Sequence, residues 1–477
     1  MISFLDASLR ETARLFSGRN IYRHDLAALF FSSLADTPYF TNSGRFNLGF
    51  LSYLPALALK RWRICGHPSV SAIHENFDYL FCILGDVSME MDTLIPVISG
   101  LRDRDQKVLV IWLRSTPLPA ETLAELKGAT VFIPSEYSEI SGSHAGFLLD
   151  FIQSFLILLK GCYYLRSVFG WTTVFRQKGS WLFERIFYLQ RWNRYFSNLL
   201  SLQEFKGVAV VSESAVSAQA VCHVAIDNQW PCHHYLHGLP GLMHTHSISD
   251  HIYCFSSVER NYFLRNGWNP SRVHADGHPR QQRLAQKIQK LRKLAPEDGG
   301  IRILFASQPS VDGIGFDNDE YTATHVAVLG ATKRLGLGDE NIRIRLHPIE
   351  NTKRFLDIAR QQTVADPHAL LSKRMIEEDL AWANVVITVF STISIETAYS
   401  GCALIWLRFG EFYCEVREEL CDAGYGLSVS TEDELDNKLK QLQNPEYRCS
   451  RIAEFLETAR ALSVIAPKHR DYLPERV

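Results

Sequence analysis

The chain has 477 residues, a length that suits two α/β domains better than a single core. Hydrophobic residues make up 46% of it and charged residues 21%, proportions that exclude a largely disordered chain. The formal net charge of -2 lacks the basic excess of nucleic-acid-binding proteins, so we expect no nucleic-acid partner.

The first predicted segment, residues 1–74, is aromatic-rich and has a helical pattern. Six short apolar runs follow it and alternate with helix-period segments; they start at residues 79, 107, 130, 208, 233 and 251. This alternation is typical of parallel β/α units. We therefore predict an N-terminal helical extension over 1–74 and a first Rossmann-type domain over 75–290.

A charged stretch containing Pro and Gly at 291–300 indicates a linker. Four further apolar runs then start at residues 301, 342, 384 and 402. The stretch from Glu432 to about Ala466 has a helical pattern and is a candidate to return to the first domain. We predict a second Rossmann-type domain over 300–465, and hence an α/β fold with two such domains facing each other across a cleft.

Polar residues close three strands of the second predicted domain. They are Ser307-Gln308, His347-Pro348 and Ser391-Thr392. Ligands of open parallel sheets bind outside the carboxyl ends of the strands, so these groups are the first candidates for a binding site.

The Ser391-Thr392-x-Ser394 turn precedes a predicted helix that Gly401 ends. First-turn N–H groups lack helical partners and the helix dipole favours negative charge, so this turn is a candidate phosphate site. Glu396, one turn further on, is placed to accept hydrogen bonds from a ribose diol. The alternative is structural: the turn is a plain N-cap, and Glu396 complements the dipole.

At these residues the chain resembles a known family. The segments RLHPIE (345–350) and FSTISIE (390–396) resemble the His-Pro and Ser-Ser/Thr motifs of bacterial GT-B glycosyltransferases. That group includes sialyl-, polysialyl- and Kdo-transferases, and related capsule and teichoic-acid polymerases. The segments HGLPG (237–241) and DGHPR (276–280) are similar to its first domain, and the resemblance covers roughly residues 205–410.

The resemblance implies a GT-B-like fold and a nucleotide, often CMP, bound by His347, Ser391 and Thr392, with Glu396 at the ribose. It also implies a reaction without metal or any cofactor besides the nucleotide-sugar co-substrate. Six histidines between 233 and 251 could suggest zinc, but their spacing matches no standard structural site, so we expect no metal.

Glycosyl transfer needs a carboxylate near the anomeric carbon, as a base or a nucleophile. Glu213, in a turn flanked by serines, is the favoured candidate; Asp86 is second, and Glu136 also closes a strand. The alternative for each of these acids is a structural one, a helix cap or a surface position. His237, Gly238 and Arg280 are candidates for contact with the donor sugar or the acceptor.

The ten cysteines form no CxxC pair and several lie inside apolar runs, which is typical of reduced thiols. The first residues lack a signal-peptide pattern, and no run approaches the roughly 18 apolar residues of a spanning helix. We expect a cytoplasmic protein. Residues 48–63 and 147–171 combine aromatic and basic residues, so they are either core helices or a peripheral contact with an anionic membrane.

The leading hypothesis is a transferase that moves a sialic-acid-like or Kdo-like sugar from a CMP donor. Its acceptor would be a bacterial surface glycan, such as a capsule polysaccharide or a lipopolysaccharide O-antigen, free or lipid-linked. A UDP-sugar or CDP-glycerol donor is an alternative, as is an enzyme like the UDP-GlcNAc 2-epimerases. A glycan-binding protein without catalysis is the third class.

Overall fold

The computed structural model describes residues 73–83, 87–113, 120–133, 187–211, 213, 215–240, 244, 247–275, 277–292, 300–310, 316–348, 350–410 and 412–465. The predicted N-terminal extension lies almost wholly outside the described residues. So do Asp86, Glu136 and the two candidate membrane segments, 48–63 and 147–171.

Seven strands form the first sheet: β1 (Tyr79–Ile83), β2 (Val108–Trp112), β3 (Thr130–Phe132), β4 (Gly207–Val210), β5 (Cys232–Tyr235), β6 (His251–Tyr253) and β7 (Val273–His274). Their order is β3-β2-β1-β4-β5-β6-β7, and β1 to β5 pair in parallel. The chain moves outward from β1 to β3 and then returns to β4 on the other side of β1. The topological switch point of this sheet therefore lies between β1 and β4.

The helices that lie between β1 and the second sheet in chain order are α1 (Val87–Arg102), α2 (Ala120–Glu125), a helical segment over 187–199, α3 (Val216–Asp227), α4 (Ser257–Arg265) and α5 (Pro279–Arg292). All five residues of β1 and of β2 are buried, as expected for parallel strands covered on both faces. The first core joins apolar residues of β1, of the helical segment and of α3. Cys82, Cys222 and Cys232 belong to that core as free thiols, so the interpretation of these cysteines as small hydrophobic residues is confirmed.

Five strands form the second sheet: β8 (Ile303–Ala306), β9 (Ile342–Arg345), β10 (Val385–Thr388), β11 (Ala403–Leu407) and β12 (Leu427–Val429). Their order is β12-β11-β10-β8-β9, and every neighbouring pair is parallel. After β9 the chain crosses to the other side of β8 to form β10. The switch point of the second sheet therefore lies between β8 and β10.

The helices that follow α5 are α6 (Asn318–Arg334), α7 (Thr352–Gln361), α8 (Ile376–Trp382), α9 (Ile393–Ser400), α10 (Glu415–Asp422), α11 (Glu432–Leu442) and α12 (Pro445–Ala461). The sequence pattern predicts one helix over the last stretch, but the structure has two. Asn444 accepts hydrogen bonds from the amides of Glu446 and Tyr447, and Pro445 opens the new helix. Proline has no N–H to continue α11, so the single-helix prediction is wrong at this point.

The described residues divide into two compact units. The first holds the chain up to Tyr235 together with Leu242–Ile252, and the second holds Leu236–Gly241 and the chain from Tyr253 onward. Helix α12 packs within the second unit, on β11 and α11. The α/β fold class with parallel Rossmann-type sheets is confirmed. No helix among the described residues is long and apolar enough to cross a membrane.

Candidate functional site

The structure places the carboxyl ends of β8, β9 and β10 side by side, and each of these strands is followed by one of the predicted polar groups. β8 pairs with β9 on one side and with β10 on the other, so Ser307 and the turn that starts at Ser391 border the switch point. His347 follows the neighbouring strand β9 and is exposed, as is Pro348. Switch points of open α/β sheets are where such folds bind ligands.

The Ser391-Thr392 turn is held from several sides. The Ser394 hydroxyl donates to the Ser391 carbonyl at 2.7 Å, and the Ile393 amide donates to Ser391 Oγ at 3.4 Å. The ring of Phe390, immediately before the turn, lies 4.6 Å from that of Phe412. Ser394 is fully buried, so it supports the turn and is not exposed to a ligand.

Thr392 caps α9 without using its side chain: the hydroxyl accepts no hydrogen bond from the helix amides. Gly238, in a segment of the same compact unit, lies against it. A Cβ added at Gly238 would stand 3.4 Å from Thr392 Oγ1. The sequence resemblance had assigned the HGLPG motif to the first domain and the Ser-Thr turn to the second, whereas the fold brings Gly238 and Thr392 together; His237 itself is half-buried.

Ser307 is buried and hydrogen-bonded within the protein. It is 3% exposed, and its hydroxyl donates to Glu350 Oε2 at 2.8 Å. The other oxygen of Glu350 accepts the His347 amide at 2.6 Å. Glu350 therefore ties the end of β8 to the His-Pro turn, while Gln308, the next predicted contact, is also buried.

A buried polar cluster lies beneath these residues. Ser307 Oγ is 3.0 Å from His325 Nε2, and His325 Nδ1 is 2.8 Å from the Tyr321 carbonyl. Burial lowers the pKa of His325 to about 4 and raises the pKa of Glu350 above its ordinary value. Arg354 lies over the Tyr321 ring, 4.3 Å from its centroid. The imidazole is thus neutral at physiological pH and adds no charge of its own beneath the strand ends.

Arg280 and Glu396, which the sequence assigns to different roles, pair with each other. Arg280 Nη2 lies 2.5 Å from Glu396 Oε1, and their side chains are only 12% and 4% exposed. Arg280 comes from the start of α5 and Glu396 from α9, and these helices pack together. The Glu396 carboxylate already has a cationic partner, so contact with a ribose would have to share or open this pair.

A second group of interacting polar residues lies near the switch point of the first sheet. Glu213 follows β4 and is buried; it lies 3.2 Å from Nδ1 of His234, which is on β5. Ser247 donates its hydroxyl to Glu213 Oε2, and the Ile248 amide donates to Oε1 at 2.7 Å. Burial alone would raise the pKa of Glu213, but contact with His234 and these two donors outweigh it and lower the pKa.

Sequence reasoning missed Glu350, His234 and Ser247. Glu350 had a local signal, because it lies three residues after His347 and can reach back to that amide across one turn. His234 and Ser247 had none: each meets Glu213 only through pairing of β4 with β5 and the return of the following loop. Within the described ranges no three His, Cys, Asp or Glu side chains form a group that could hold a metal ion.

No model of a known protein family matches the chain, and no curated protein matches its sequence. Solved structures that it resembles include two UDP-GlcNAc 2-epimerases. That of Methanocaldococcus jannaschii, in complex with UDP-GlcNAc and UDP, has 13% identity and a TM-score of 0.48 over 81% of this chain and 98% of its own. That of Neisseria meningitidis, bound to UDP-GlcNAc, has 13% identity and a TM-score of 0.45 over the same shares.

MurG of Acinetobacter baumannii has 11% identity and a TM-score of 0.42, over 82% of this chain and 99% of its own. At identities this low, the likeness concerns the arrangement of helices and strands alone.

Proposed function

We propose that the protein is a glycosyltransferase whose second unit holds the nucleotide of an activated sugar. One observation carries the proposal: the switch point between β8 and β10 is bordered by the Ser391-Thr392 turn, the start of α9 and Gly238. A diphosphate or monophosphate placed there would meet the first amides of the helix, the favourable end of its dipole and the Thr392 hydroxyl.

The surroundings of the turn support a phosphate in particular. The Thr392 hydroxyl accepts from none of the amides of α9, so helix capping does not fix its orientation. Glycine at 238 leaves space against that hydroxyl, where a larger side chain would intrude. His347 stands exposed at the end of β9 and suits a contact with a phosphate or a base. A plain N-cap would require none of these neighbours.

The finer proposal concerns donor and acceptor. The His-Pro and Ser-Thr motifs favour a CMP donor that carries a sialic-acid-like or Kdo-like sugar, and the acceptor is then a bacterial surface glycan. A lipid-linked acceptor would bring the protein to the cytoplasmic face of an anionic membrane. Sedimentation with anionic vesicles that decreases with salt would support that contact, and no binding at low salt would remove it.

The first unit supplies the acid–base group in this proposal, at Glu213 and the residues around it. The same constellation favours a second candidate function. A histidine beside a buried carboxylate can also remove a proton from carbon, which is the chemistry of a sugar-nucleotide epimerase. That enzyme would act on a UDP-sugar and need no acceptor.

A thermal-shift screen with CMP, CDP, UDP and GDP separates these candidates. A ligand at about 100 times its Kd stabilises the native state by about 2.7 kcal/mol, which is readily detected. Stabilisation by CMP supports the transferase with a CMP donor, whereas UDP alone would overturn that donor and direct the assay to UDP-sugars. Conversion of a UDP-sugar without acceptor would identify the epimerase, and stabilisation by none of the four would refute a nucleotide site.

A further inference from the structure

We infer that His234 is the residue that accepts the proton in the reaction, and that Glu213 is a positioning residue that orients it. The inference rests on the proposed function and deepens it, because it assigns the proton to one atom, His234 Nε2. Sequence reasoning had placed the catalytic role on Glu213 itself.

Glu213 is poorly suited to accept a proton. Both of its oxygens already serve as acceptors: Oε1 receives the Ile248 amide at 2.7 Å, and Oε2 receives the Ser247 hydroxyl. Oε2 also lies 3.2 Å from His234 Nδ1. These contacts lower the pKa of Glu213, so the carboxylate stays ionised and is a weak base.

His234 has the opposite character. Its Nδ1 faces the Glu213 carboxylate, an arrangement that places the proton of a neutral imidazole on Nδ1 and leaves the lone pair on Nε2. The residue is 2% exposed, and among the residues that the structure describes neither ring nitrogen forms a hydrogen bond; Nδ1 has the ionic contact with Glu213, and Nε2 has none. Buried polar atoms are almost always paired, so a solitary basic nitrogen here points to a proton donor from outside the chain.

The position on the sheet agrees with this assignment. His234 pairs with Val210 on β4, the strand beside the switch point, and lies next to the carboxyl end of β5. The other titratable ring against it is His244, stacked at a centroid distance of 6.4 Å. Substrates of open α/β sheets lie at this end of the strands, so an acceptor hydroxyl at Nε2 would stand where the fold places ligands.

His234 Nε2 takes the proton of the acceptor hydroxyl while the hydroxyl oxygen forms a bond to the anomeric carbon. The bond from that carbon to the phosphate oxygen breaks, and the nucleotide leaves with the electron pair. The imidazolium, stabilised by the Glu213 carboxylate, then releases its proton to solvent, which restores the neutral ring.

The first test is spectroscopic: long-range ¹H–¹⁵N correlation on histidine-labelled protein reports the tautomer of each neutral ring. We expect His234 to carry its proton on Nδ1 in the wild type. In Glu213→Gln the side-chain amide donates to Nδ1, so the proton moves to Nε2 and the base is lost. A His234 with its proton on Nε2 in the wild type would overturn the inference.

The second test is kinetic and uses CMP-sialic acid as the donor probe, or UDP-GlcNAc if UDP alone stabilises the protein. We expect Glu213→Gln to lower kcat by about 10²- to 10⁴-fold with little change in KM, because binding is untouched while the proton acceptor is lost. Glu259→Gln is the matched control: it also turns a fully buried glutamate into an amide, in α4, and keeps full kcat.

His234→Ala supplies an independent check. Added imidazole should restore part of the kcat of His234→Ala, since the small base can enter the vacated space. The kcat of Glu259→Gln should not change when imidazole is added. If nucleotide binding persists, full kcat in Glu213→Gln or in His234→Ala would overturn the inference. Absence of nucleotide binding in the wild type would instead refute the proposed function and leave the tautomer result standing.

Discussion

Arg280 and Glu396 form a buried ion pair that gives a quantitative prediction. The perturbation is Arg280→Met, which removes the cation and leaves the Glu396 carboxylate buried without it. Two companion variants complete a cycle: Glu396→Leu, and the double variant with both changes. Each single change leaves one charge buried without its partner, whereas the double change removes both charges and fills the space with apolar atoms.

The magnitude follows from the geometry. At 2.5 Å between Arg280 Nη2 and Glu396 Oε1, Coulomb attraction at an effective dielectric constant of 20 is about 7 kcal/mol. Desolvation of two side chains that are 12% and 4% exposed cancels most of this, at several kcal/mol per ion. We therefore expect each single variant to lose about 3–5 kcal/mol of unfolding free energy and the double variant to lose about 1 kcal/mol or less, which corresponds to a coupling of at least about 5 kcal/mol.

Urea denaturation of the four proteins measures the cycle, and hydrogen exchange of peptides from α9 assigns the change to the second unit. Losses below about 1 kcal/mol in both single variants would refute the pair as a buried, desolvated contact. Nucleotide affinity in Glu396→Gln adds a functional arm. Unchanged affinity there would remove Glu396 from the ribose and leave its role structural.

Three further predictions concern other buried and exposed groups. Burial raises the pKa of Glu259 to about 8, so the stabilisation from its proton is full below the unfolded pKa and is lost as pH rises toward 8. The unfolding free energy of Glu259→Gln, measured by urea denaturation, should therefore gain on that of wild type from about pH 5 to 8, by at most about 1.4 kcal/mol per pH unit; a constant difference would contradict this. Gly238→Ala should fold normally, because its Cβ would make ordinary contact with Thr392. Gly238→Val should weaken nucleotide binding by about tenfold or more (about 1.4 kcal/mol). Equal nucleotide affinity of Gly238→Val and wild type would exclude a ligand beside Thr392. Cys449 is exposed, so Cys449→Ser should remove one rapidly reacting thiol from an assay with Ellman's reagent, and an unchanged count would contradict its exposure.

Much of the fold followed from the sequence because its signals are local. Apolar runs such as 303–306 and 385–388 alternate with helix-period segments, and parallel β/α units are the arrangement that buries both faces of such strands. The structure places the polar ends of these strands side by side, at the second switch point. The break between α11 and α12 was also readable, since Asn444-Pro445 is a helix-stop signal that the helical interpretation overlooked.

The pairing of charged groups could not be predicted in the same way. Glu213 was chosen as an acid that closes a strand and Glu396 as one placed one turn into a helix; each is buried against a partner from another element. Arg280 precedes Glu396 by more than a hundred residues, and no periodicity links two such positions. Sequence identifies the type of a charged residue, whereas the partner that sets its chemistry is fixed by packing.

The central claim, a nucleotide held at the Ser391-Thr392 turn, is tested most directly by titration calorimetry with one pair of matched variants. Thr392→Val removes the hydroxyl that faces Gly238, while Thr397→Val makes the same change one turn later, where the hydroxyl bonds only the Ile393 carbonyl. We predict that the nucleotide that stabilises the wild type binds Thr392→Val about tenfold or more weakly, the value of a hydrogen bond to a charged phosphate, and binds Thr397→Val with wild-type affinity. Equal affinity for wild type and both variants would contradict a phosphate at this turn.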